Sequence, residues 1–310
     1  MYTKMLVPLD ASELAAASFT YAKELAARLA LNVILLHVRG AEERMPASPL
    51  EADIKHKAEI MKRQSEEVRG KIGIKPGGKA IQVRGEVAIG SPAEEIIRCA
   101  AENNVDLILM ATHGRSGVKR LVMGSVADKV LRTSNVPVWL IRPGLPEQAV
   151  YEQWPGKTIV VPLDGSALAE TALAHVEALA SQQGVEKVDV ILLRICTRPM
   201  PPPAADYTYT TLPEEYTQME LARRKQVARK YLAEIESQLT NKGFTVRSEV
   251  LEGRPAEQIV EYANAHPYNL IVMSTHARSG LQRLARGSVA TYALQKANSP
   301  IVIVKTRRPE

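Results

Sequence analysis

The chain repeats itself, and this repetition constrains its fold more than any other feature of the sequence. Lys4–Leu14 (KMLVPLDASEL) and Thr158–Leu168 (TIVVPLDGSAL) share six of eleven residues at an offset of 154. Leu107–Val130 and Leu270–Ala293 share fourteen of twenty-four residues at an offset of 163. Collinear blocks of this kind indicate a tandem duplication, with about nine extra residues inside the second copy.

Proline and glycine mark the boundary between the two copies. Arg142-Pro-Gly-Leu-Pro146 ends the first copy and Trp154-Pro-Gly156 precedes the second. Because proline and glycine at this density interrupt regular structure, we predict domains at residues 1–143 and 157–310, joined by an irregular linker at residues 144–156. The proline-rich segment 198–213 is longer than its counterpart in the first copy, so we place the extra residues there.

Within each copy, short apolar runs alternate with longer amphipathic patterns. Met5–Leu9, Ala80–Arg84 and Leu107–Met110 are predicted strands, and Ser12–Ala30 and Pro92–Glu102 are predicted helices. This alternation indicates right-handed βαβ units. The predicted fold is therefore α/β, with two tandem doubly wound domains. Each has a five-stranded parallel sheet of strand order 3-2-1-4-5 and helices on both faces, and its ligand site lies at the carboxyl ends of the first and fourth strands.

The composition fits a soluble protein whose core is built from aliphatic residues. Aromatic residues make up 5% and charged residues 24% of the chain, and the formal net charge is +6. The charges are mixed along the sequence, so we expect no nucleic-acid partner and no membrane association. Cys99 and Cys196 lack metal-ligand spacing and are expected to be buried thiols, which together with the missing leader sequence predicts a cytoplasmic location.

Two loops fall at the predicted ligand edge. The first follows the first strand as Val7-Pro-Leu-Asp10. The carboxylate of Asp10 either hydrogen-bonds a ribose hydroxyl, or lies in the outer shell of a magnesium ion, or only helps to cap the next helix. The second runs from Met110 to Ser125 and contains Gly114, Arg115 and Gly124. Glycines permit close approach of the backbone, Arg115 offers paired donors, and the helix start attracts anions. This loop is either a phosphate cradle or a plain strand-to-helix turn, and its recurrence in the second copy favours the cradle.

These motifs resemble the universal stress protein family over nearly the whole chain. Its nucleotide-binding members share Gly-x2-Gly-x9-Gly-(Ser/Thr) after the fourth strand. Here Ala111-x2-Gly114-x9-Gly124-Ser125 replaces only the leading glycine, whereas Ser274-x2-Ala277-x9-Gly287-Ser288 loses both leading glycines. An alanine at position 277 is unfavourable if the backbone there has positive φ. The first copy is therefore expected to bind adenine nucleotide more tightly than the second.

The resemblance implies which residues hold the nucleotide. In the first copy they are Pro8, Leu9, Asp10, Val38, Met110, Ala111, His113, Gly114, Arg115, Gly124, Ser125 and Val126. In the second copy they are Pro162, Asp164, Ile195, Met273, Ser274, Ala277, Arg278, Gly287, Ser288 and Val289. Val38 and Met110 are expected to pack on adenine, and Asp10 is the one candidate metal contact, through a magnesium nucleotide.

The function expected from the resemblance is binding of ATP or another adenine nucleotide as a regulatory ligand in a stress response. No general base is evident beside the phosphate loop, so no catalytic residue is assigned. A nucleotide-independent scaffold and a slow ATPase or phosphotransferase are the alternatives. Members of this family pair their last strands across a two-fold axis, so Val136–Ile141 and Pro300–Val304 are expected to pair within the chain as a pseudo-dimer, and a homodimer of chains stays open.

Overall fold

The computed structural model describes residues 1–10, 13–40, 47–73, 80–112, 123–142, 147–183, 188–199, 214–276 and 288–306. In the first copy the strands and helices are β1 (Lys4–Pro8), α1 (Glu13–Leu29), β2 (Asn32–Arg39), α2 (Ala47–Lys71), β3 (Val83–Ile89), α3 (Pro92–Glu102), β4 (Leu107–Ala111), α4 (Ser125–Thr133) and β5 (Val138–Ile141). No helix within these ranges has the length and apolar character needed to cross a bilayer.

The second copy repeats this order after a short helix, α5 (Glu147–Glu152), and a 3-10 turn at Pro155–Lys157. Its elements are β6 (Thr158–Pro162), α6 (Ala167–Gln182), β7 (Asp189–Cys196), α7 (Glu214–Asn241), β8 (Thr245–Glu252), α8 (Pro255–Ala265), β9 (Leu270–His276), α9 (Ser288–Lys296) and β10 (Ile301–Thr306). The two copies therefore have the same succession of elements.

All ten strands form one sheet in the order β3-β2-β1-β4-β5-β10-β9-β6-β7-β8. Within each copy the strands are parallel and follow the order 3-2-1-4-5, so the predicted fold class and strand order are confirmed. The copies join where β5 and β10 pair antiparallel, with Trp139 opposite Val302. The expected pairing of the two last strands within the chain is thus present, and we call this junction the seam.

Alternation along the strands builds a core on each face of the sheet. Val7, Leu35 and Leu109 point to the layer that contains α1, α2, α6 and α7. Leu6 and Ile108, one residue away, point to the opposite layer, which contains α3, α4, α8 and α9. Parallel strands covered on both faces have few polar positions, which explains the continuous apolar runs in the sequence. Both cores continue across the seam from one copy into the other.

Residues 147–156 of the segment predicted to be an irregular linker contain a helix and a 3-10 turn, so the expectation of irregular structure is wrong for this part, and residues 144–146 lie outside the described residues. Residues 147–152 form α5, because this stretch lies between the proline-glycine clusters and contains neither residue. Trp154 is 1% exposed and its ring stacks on that of Trp139, with 6.1 Å between the centroids. The Cζ atom of Arg28 lies 5.1 Å from the Trp154 ring, and Nη2 of Arg28 donates to the carbonyl oxygen of Tyr151.

Trp154 also contacts the second copy, because its Nε1 donates to Oε1 of Gln183 at 3.1 Å. A second connection runs through Tyr2, whose backbone N–H donates to Oε1 of Gln182 at 2.7 Å. The hydroxyl of Tyr2 lies 2.7 Å from Nδ1 of His175 on α6. The two copies are therefore joined by side chains on the α1 and α6 layer as well as by the seam.

Two details of the sequence prediction are corrected. The third strand is Val83–Ile89 and not Ala80–Arg84, because Ile81 is buried in the core without being paired in the sheet. The extra residues of the second copy do not all lie in 198–213. The offset between equivalent residues rises from 154 to 157 before β7 and to 163 before β8, as read from the pairs Lys4/Thr158, Asn32/Asp189 and Val83/Val246. Cys99 and Cys196 are both buried free thiols, as expected.

Substitution of Trp154 tests the packing between the copies. We expect Trp154→Ala to lower the free energy of unfolding by about 3–5 kcal/mol, because it empties a buried aromatic site shared by both copies. Urea denaturation followed by circular dichroism measures the change. Tyr216→Ala is the matched control, since Tyr216 is 47% exposed and its loss should cost no more than about 0.5 kcal/mol. Equal losses in the two variants would contradict the shared-core interpretation.

The burial of His175 makes stability depend on pH. Burial lowers the pKa of His175 below its ordinary value of 6.5. The unfolded chain therefore binds a proton at His175 before the folded chain does, and the free energy of unfolding falls as the pH drops below that value. Urea midpoints measured from about pH 8 to about pH 5.5 should decrease more in the wild type than in His175→Gln. The same decrease in both proteins would exclude His175 as a source of the effect.

Candidate functional site

The carboxyl ends of β1 and β4 lie side by side and form the predicted ligand corner of the first copy. β1 pairs with β4 in parallel, with Met5 opposite Leu107. Between residues 113 and 122 the chain lies outside the described residues, and it resumes at Met123. There the backbone N–H of Gly124 donates to the carbonyl oxygen of Thr112 at 2.7 Å, which places the start of α4 against the end of β4.

The start of α4 carries no side-chain cap. Gly124 is its N-cap residue, with φ −56° and ψ 146°, and no side chain in the described chain accepts from the first turn. The first intrahelical bond runs from Asp128 N–H to Gly124 oxygen at 2.9 Å, which leaves the earlier amides outside the helical pattern. By contrast, Ser166 caps α6 by accepting from Ala169 N–H at 3.1 Å. Within the described residues, the start of α4 therefore has backbone amides that no N-cap side chain occupies, at the positive end of the helix.

The predicted adenine contacts and the start of α4 lie on one side of the sheet. Met110 is 6% exposed, and Val38 and Val126 pack half-buried against the same core cluster on the α3 and α4 layer. Ser125 is exposed. This arrangement places apolar side chains beside an uncapped helix start.

The residues that end β1 have different environments. The side chain of Leu9 is 6% exposed and belongs to the core of the opposite layer, so only its backbone faces the corner. Pro8 and Asp10 are half-buried, and Asp10 has an interaction partner within the protein. Ala111 also packs against the α1 and α2 layer. His113, Gly114 and Arg115 lie outside the described residues, and their roles stay predictions.

The second corner, between β6 and β9, differs in its polar contacts. Oδ1 of Asp164 accepts from the N–H of Ser166 at 2.9 Å, so this carboxylate supports the turn that precedes α6. The hydroxyl of Ser274 lies 2.8 Å from that of Thr171 on α6. Asp164 therefore supports the turn before α6, whereas the cap of that helix is the hydroxyl of Ser166.

The apolar residues of the second corner occupy the places their counterparts have in the first. Met273 is 6% exposed, and Ile195 and Val289 pack half-buried against core clusters on the α8 and α9 layer. Pro162 is half-buried and Ser288 is exposed. Ala277, Arg278 and Gly287 lie outside the described residues. No cluster of three or more potential metal ligands is found in the described part of the chain.

Arg194 lies beside the second corner, on the face of the sheet that α7 covers, and the sequence analysis missed it. Its guanidinium Cζ lies 4.9 Å from the ring centroid of Tyr231, whose hydroxyl donates to Oε1 of Glu170 at 2.9 Å. Gly165 has φ +82°, and a Cβ built on it would lie 2.5 Å from Nη1 of Arg194. In the first copy the equivalent residue is His37, with Nδ1 3.1 Å from the carbonyl oxygen of Leu9. An alignment with the offset of 157 that applies to β2 and β7 would have paired these residues.

Fold and corners together define a duplicated α/β protein of the doubly wound class, with an open helix start at the switch point of its first sheet. The chain belongs to the universal stress protein family, whose family model matches residues 1–142 and 156–305. A universal stress protein of Methanocaldococcus jannaschii is 31% identical over 155 residues, which cover 46% of this chain and 96% of that protein.

Longer relatives extend the similarity across both copies. A universal stress protein of Mycobacterium tuberculosis is 24% identical over 233 residues, covering 73% of this chain and 70% of that protein. The crystal structure of a universal stress protein from Archaeoglobus fulgidus superimposes with a TM-score of 0.63 at 20% identity, covering 97% of this chain and 98% of that chain. At this identity the superposition supports the tandem fold alone.

The glycine beside Arg194 can be tested by substitution. We expect Gly165→Ala to lower the free energy of unfolding by about 1–3 kcal/mol, because alanine is strained at positive φ and its Cβ displaces Arg194. Gly70→Ala is the control, since nothing lies within 4 Å of the added Cβ and a helical alanine should stabilise by about 0.5–1 kcal/mol. Chemical denaturation of both variants checks the signs, and a stabilised Gly165→Ala variant would show that this turn is not constrained.

Proposed function

We propose that this protein binds an adenine nucleotide, with ATP as the first candidate, as a regulatory ligand in the corner between β1, β4 and α4. The observation that carries the proposal is the uncapped start of α4 at Gly124, held beside the end of β4 by the bond from its N–H to Thr112. Free amides and the positive end of a helix stabilise phosphate at such a position. The family membership of the chain adds support, because the first copy retains most of the nucleotide motif.

Different residues of the corner would contact different parts of the nucleotide. Val38 and Met110 would contact the adenine ring through their apolar surfaces, and the first-turn amides at Ser125 and Val126 would donate to the phosphates. Gly114 and Arg115 would complete the phosphate contacts from the loop. Asp10 is the candidate ligand for magnesium. Because one carboxylate cannot hold the ion alone, magnesium would arrive bound to the nucleotide phosphates and water.

The first copy is proposed to be the main site. In the second copy Asp164 is engaged with the turn before α6 and the Ser274 hydroxyl with Thr171. Ala277 replaces the glycine of the motif. Asp10 of the first copy also has a partner within the protein, so the replacement at Ala277 is the feature that distinguishes the two copies. Since both cores cross the seam, the copies are best compared as variants of the intact chain.

A charge placed at the N-cap of α4 separates nucleotide binding from folding. We expect Gly124→Asp to leave the fold at least as stable, because aspartate is a favourable N-cap residue. Its carboxylate would occupy the helix start and repel phosphate, so the affinity for ATP should fall by about tenfold or more. Titration calorimetry measures the affinity. Gly124→Ala keeps the site neutral and should lower the affinity less.

The equivalent substitution in the second copy, Gly287→Asp, is the matched control and should have the smaller effect on ATP binding. A larger effect there would reverse the proposed order of the two sites. Unchanged ATP binding in Gly124→Asp would exclude the corner as the phosphate site. Recovery of intact ATP from the wild-type complex supports a regulatory ligand, whereas sustained release of ADP would establish turnover and a total absence of binding would favour a scaffold.

A further inference from the structure

A cleft lined by arginines lies at the carboxyl end of β7, on the α7 side of the sheet. It has a volume of about 220 Å³ and is bordered by Arg194, Arg223 and Arg224, with Ile195 and Val227 as apolar neighbours. The side chain of Arg194 lies on the face of the sheet that α7 covers, where it contacts Tyr231. The Ile195 side chain packs toward the α8 layer, where the proposed second nucleotide corner lies. The cleft therefore lies beside that corner but on the opposite face of the sheet.

Among the residues that the structure describes, the arginines of the cleft outnumber the carboxylates that pair with them. Glu220 accepts from Nε and Nη2 of Arg223 at 2.7 and 2.8 Å and from Nε of Arg224 at 3.0 Å. These two guanidinium groups lower the pKa of Glu220 to about 2, so it is ionised at neutral pH. One negative charge is thus shared by two positive charges, and the group keeps a net positive charge.

The same sharing occurs among residues next to the lining of the cleft, because Arg198 follows Thr197 and Lys225 follows Arg224 in the chain. Glu252 accepts from Nζ of Lys225 and from Nε of Arg198, both at 2.9 Å. Arg194 makes no ion pair within the described part of the chain, where its guanidinium stacks on Tyr231. Nη1 of Arg224 donates to the carbonyl oxygen of Thr197 at 3.2 Å, which orients this side chain along the cleft. The described residues therefore give the cleft an excess of positive charge, and the contact of Arg224 fixes part of its donor set in place.

Cys196 lines the same cleft, and the charges around the cleft affect the pKa of its thiol. Burial raises the pKa of this thiol, while four surrounding cations, Arg194, Lys225, Arg224 and Arg229, act to lower it. Because burial outweighs the cations, the thiol stays protonated and supplies no negative charge to compensate them. The cleft is therefore suited to bind an anion, and its cysteine is not activated as a nucleophile.

The first copy does not repeat this arrangement. β2 carries His37 where β7 carries Arg194, and α2 contains no arginine before Arg63. In α7, by contrast, Arg223 and Arg224 lie in the third turn. The basic cleft is thus a property of the second copy alone, and the shared nucleotide motif does not account for it.

We propose that the cleft between β7 and α7 is a second binding site, distinct from the nucleotide corner, for a small phosphate-type oxyanion. Guanidinium groups match the oxygens of phosphate in geometry and charge. The ligand is either free inorganic phosphate or the phosphoryl group of a phosphorylated sugar, for which Val227 offers an apolar contact. This inference does not depend on nucleotide binding in the first copy.

The test is a titration of the intact protein with inorganic phosphate and, separately, with ribose 5-phosphate, at constant ionic strength maintained with chloride. Methyl NMR signals of Val227 report on the cleft. We expect saturable shifts in the wild type and an affinity about tenfold lower in Arg223→Gln and Arg224→Gln, because each loses a charge-assisted contact. Tighter binding of the sugar phosphate would identify a metabolite, and equal or tighter binding of inorganic phosphate would identify the free anion; both support the site.

Lys230→Gln is the matched control, because it removes one exposed positive charge from the same helix without touching the cleft. If Lys230→Gln and Arg224→Gln weaken phosphate binding equally, the effect is one of net charge and the proposal is overturned. The absence of saturable shifts in the wild type would also overturn it. Gly124→Asp distinguishes the two sites. If it abolishes the phosphate response while the arginine variants retain it, the anion binds at the nucleotide corner and the cleft is not a site. Loss of ATP binding alone in Gly124→Asp leaves the cleft supported.

Discussion

The antiparallel hydrogen bonding between β5 and β10 is the constraint on which the rest of the structure depends. It joins two five-stranded sheets into one, and the apolar side chains on both faces then merge into cores that extend across the seam. Trp154 packs over this junction and contacts groups from both copies. The segment between the copies is therefore a structural element in its own right. The two inner edges are used within the chain, which leaves β3 and β8 as the outer strands of the sheet.

The direction of the strands at the seam also determines where the two corners lie. Within a copy all strands are parallel, so every carboxyl end lies at the same edge of that half-sheet. Because β5 and β10 run antiparallel, the carboxyl edge of one copy points opposite to that of the other. The corner at Gly124 and the corner at Asp164 therefore open toward opposite ends of the molecule. A single small ligand does not reach both, so each corner must be assessed by its own residues.

Much of the fold could be predicted from the repeat and its apolar runs. The features that the sequence analysis placed wrongly or missed have physical explanations. Buried central strands such as Leu107–Ala111 are continuous in hydrophobicity and were located within a residue, as was helix Pro92–Glu102. The edge strand Val83–Ile89 is half-buried and mixed in polarity, so its sequence has no clear apolar run. The third strand was therefore predicted at Ala80–Arg84, around the buried Ile81. The position of the candidate corner was predictable, because it is determined by the ends of β1 and β4 and the start of α4. The basic cleft was not, because it arises from α7 packing against β7, and single residues such as Arg194 carry no periodic signal.

Covalent fusion of the copies has an evolutionary consequence. In a homodimer each amino-acid replacement is made twice, so a change that damages one site damages its symmetry mate as well. Here the gene encodes each half separately, and selection can preserve one while the other drifts or acquires a new role. Gly114 opposite Ala277, and His37 opposite Arg194, are such departures from symmetry. Because the last strands pair inside one polypeptide, the chain keeps the architecture of a dimer while the sequences of its two halves can change independently.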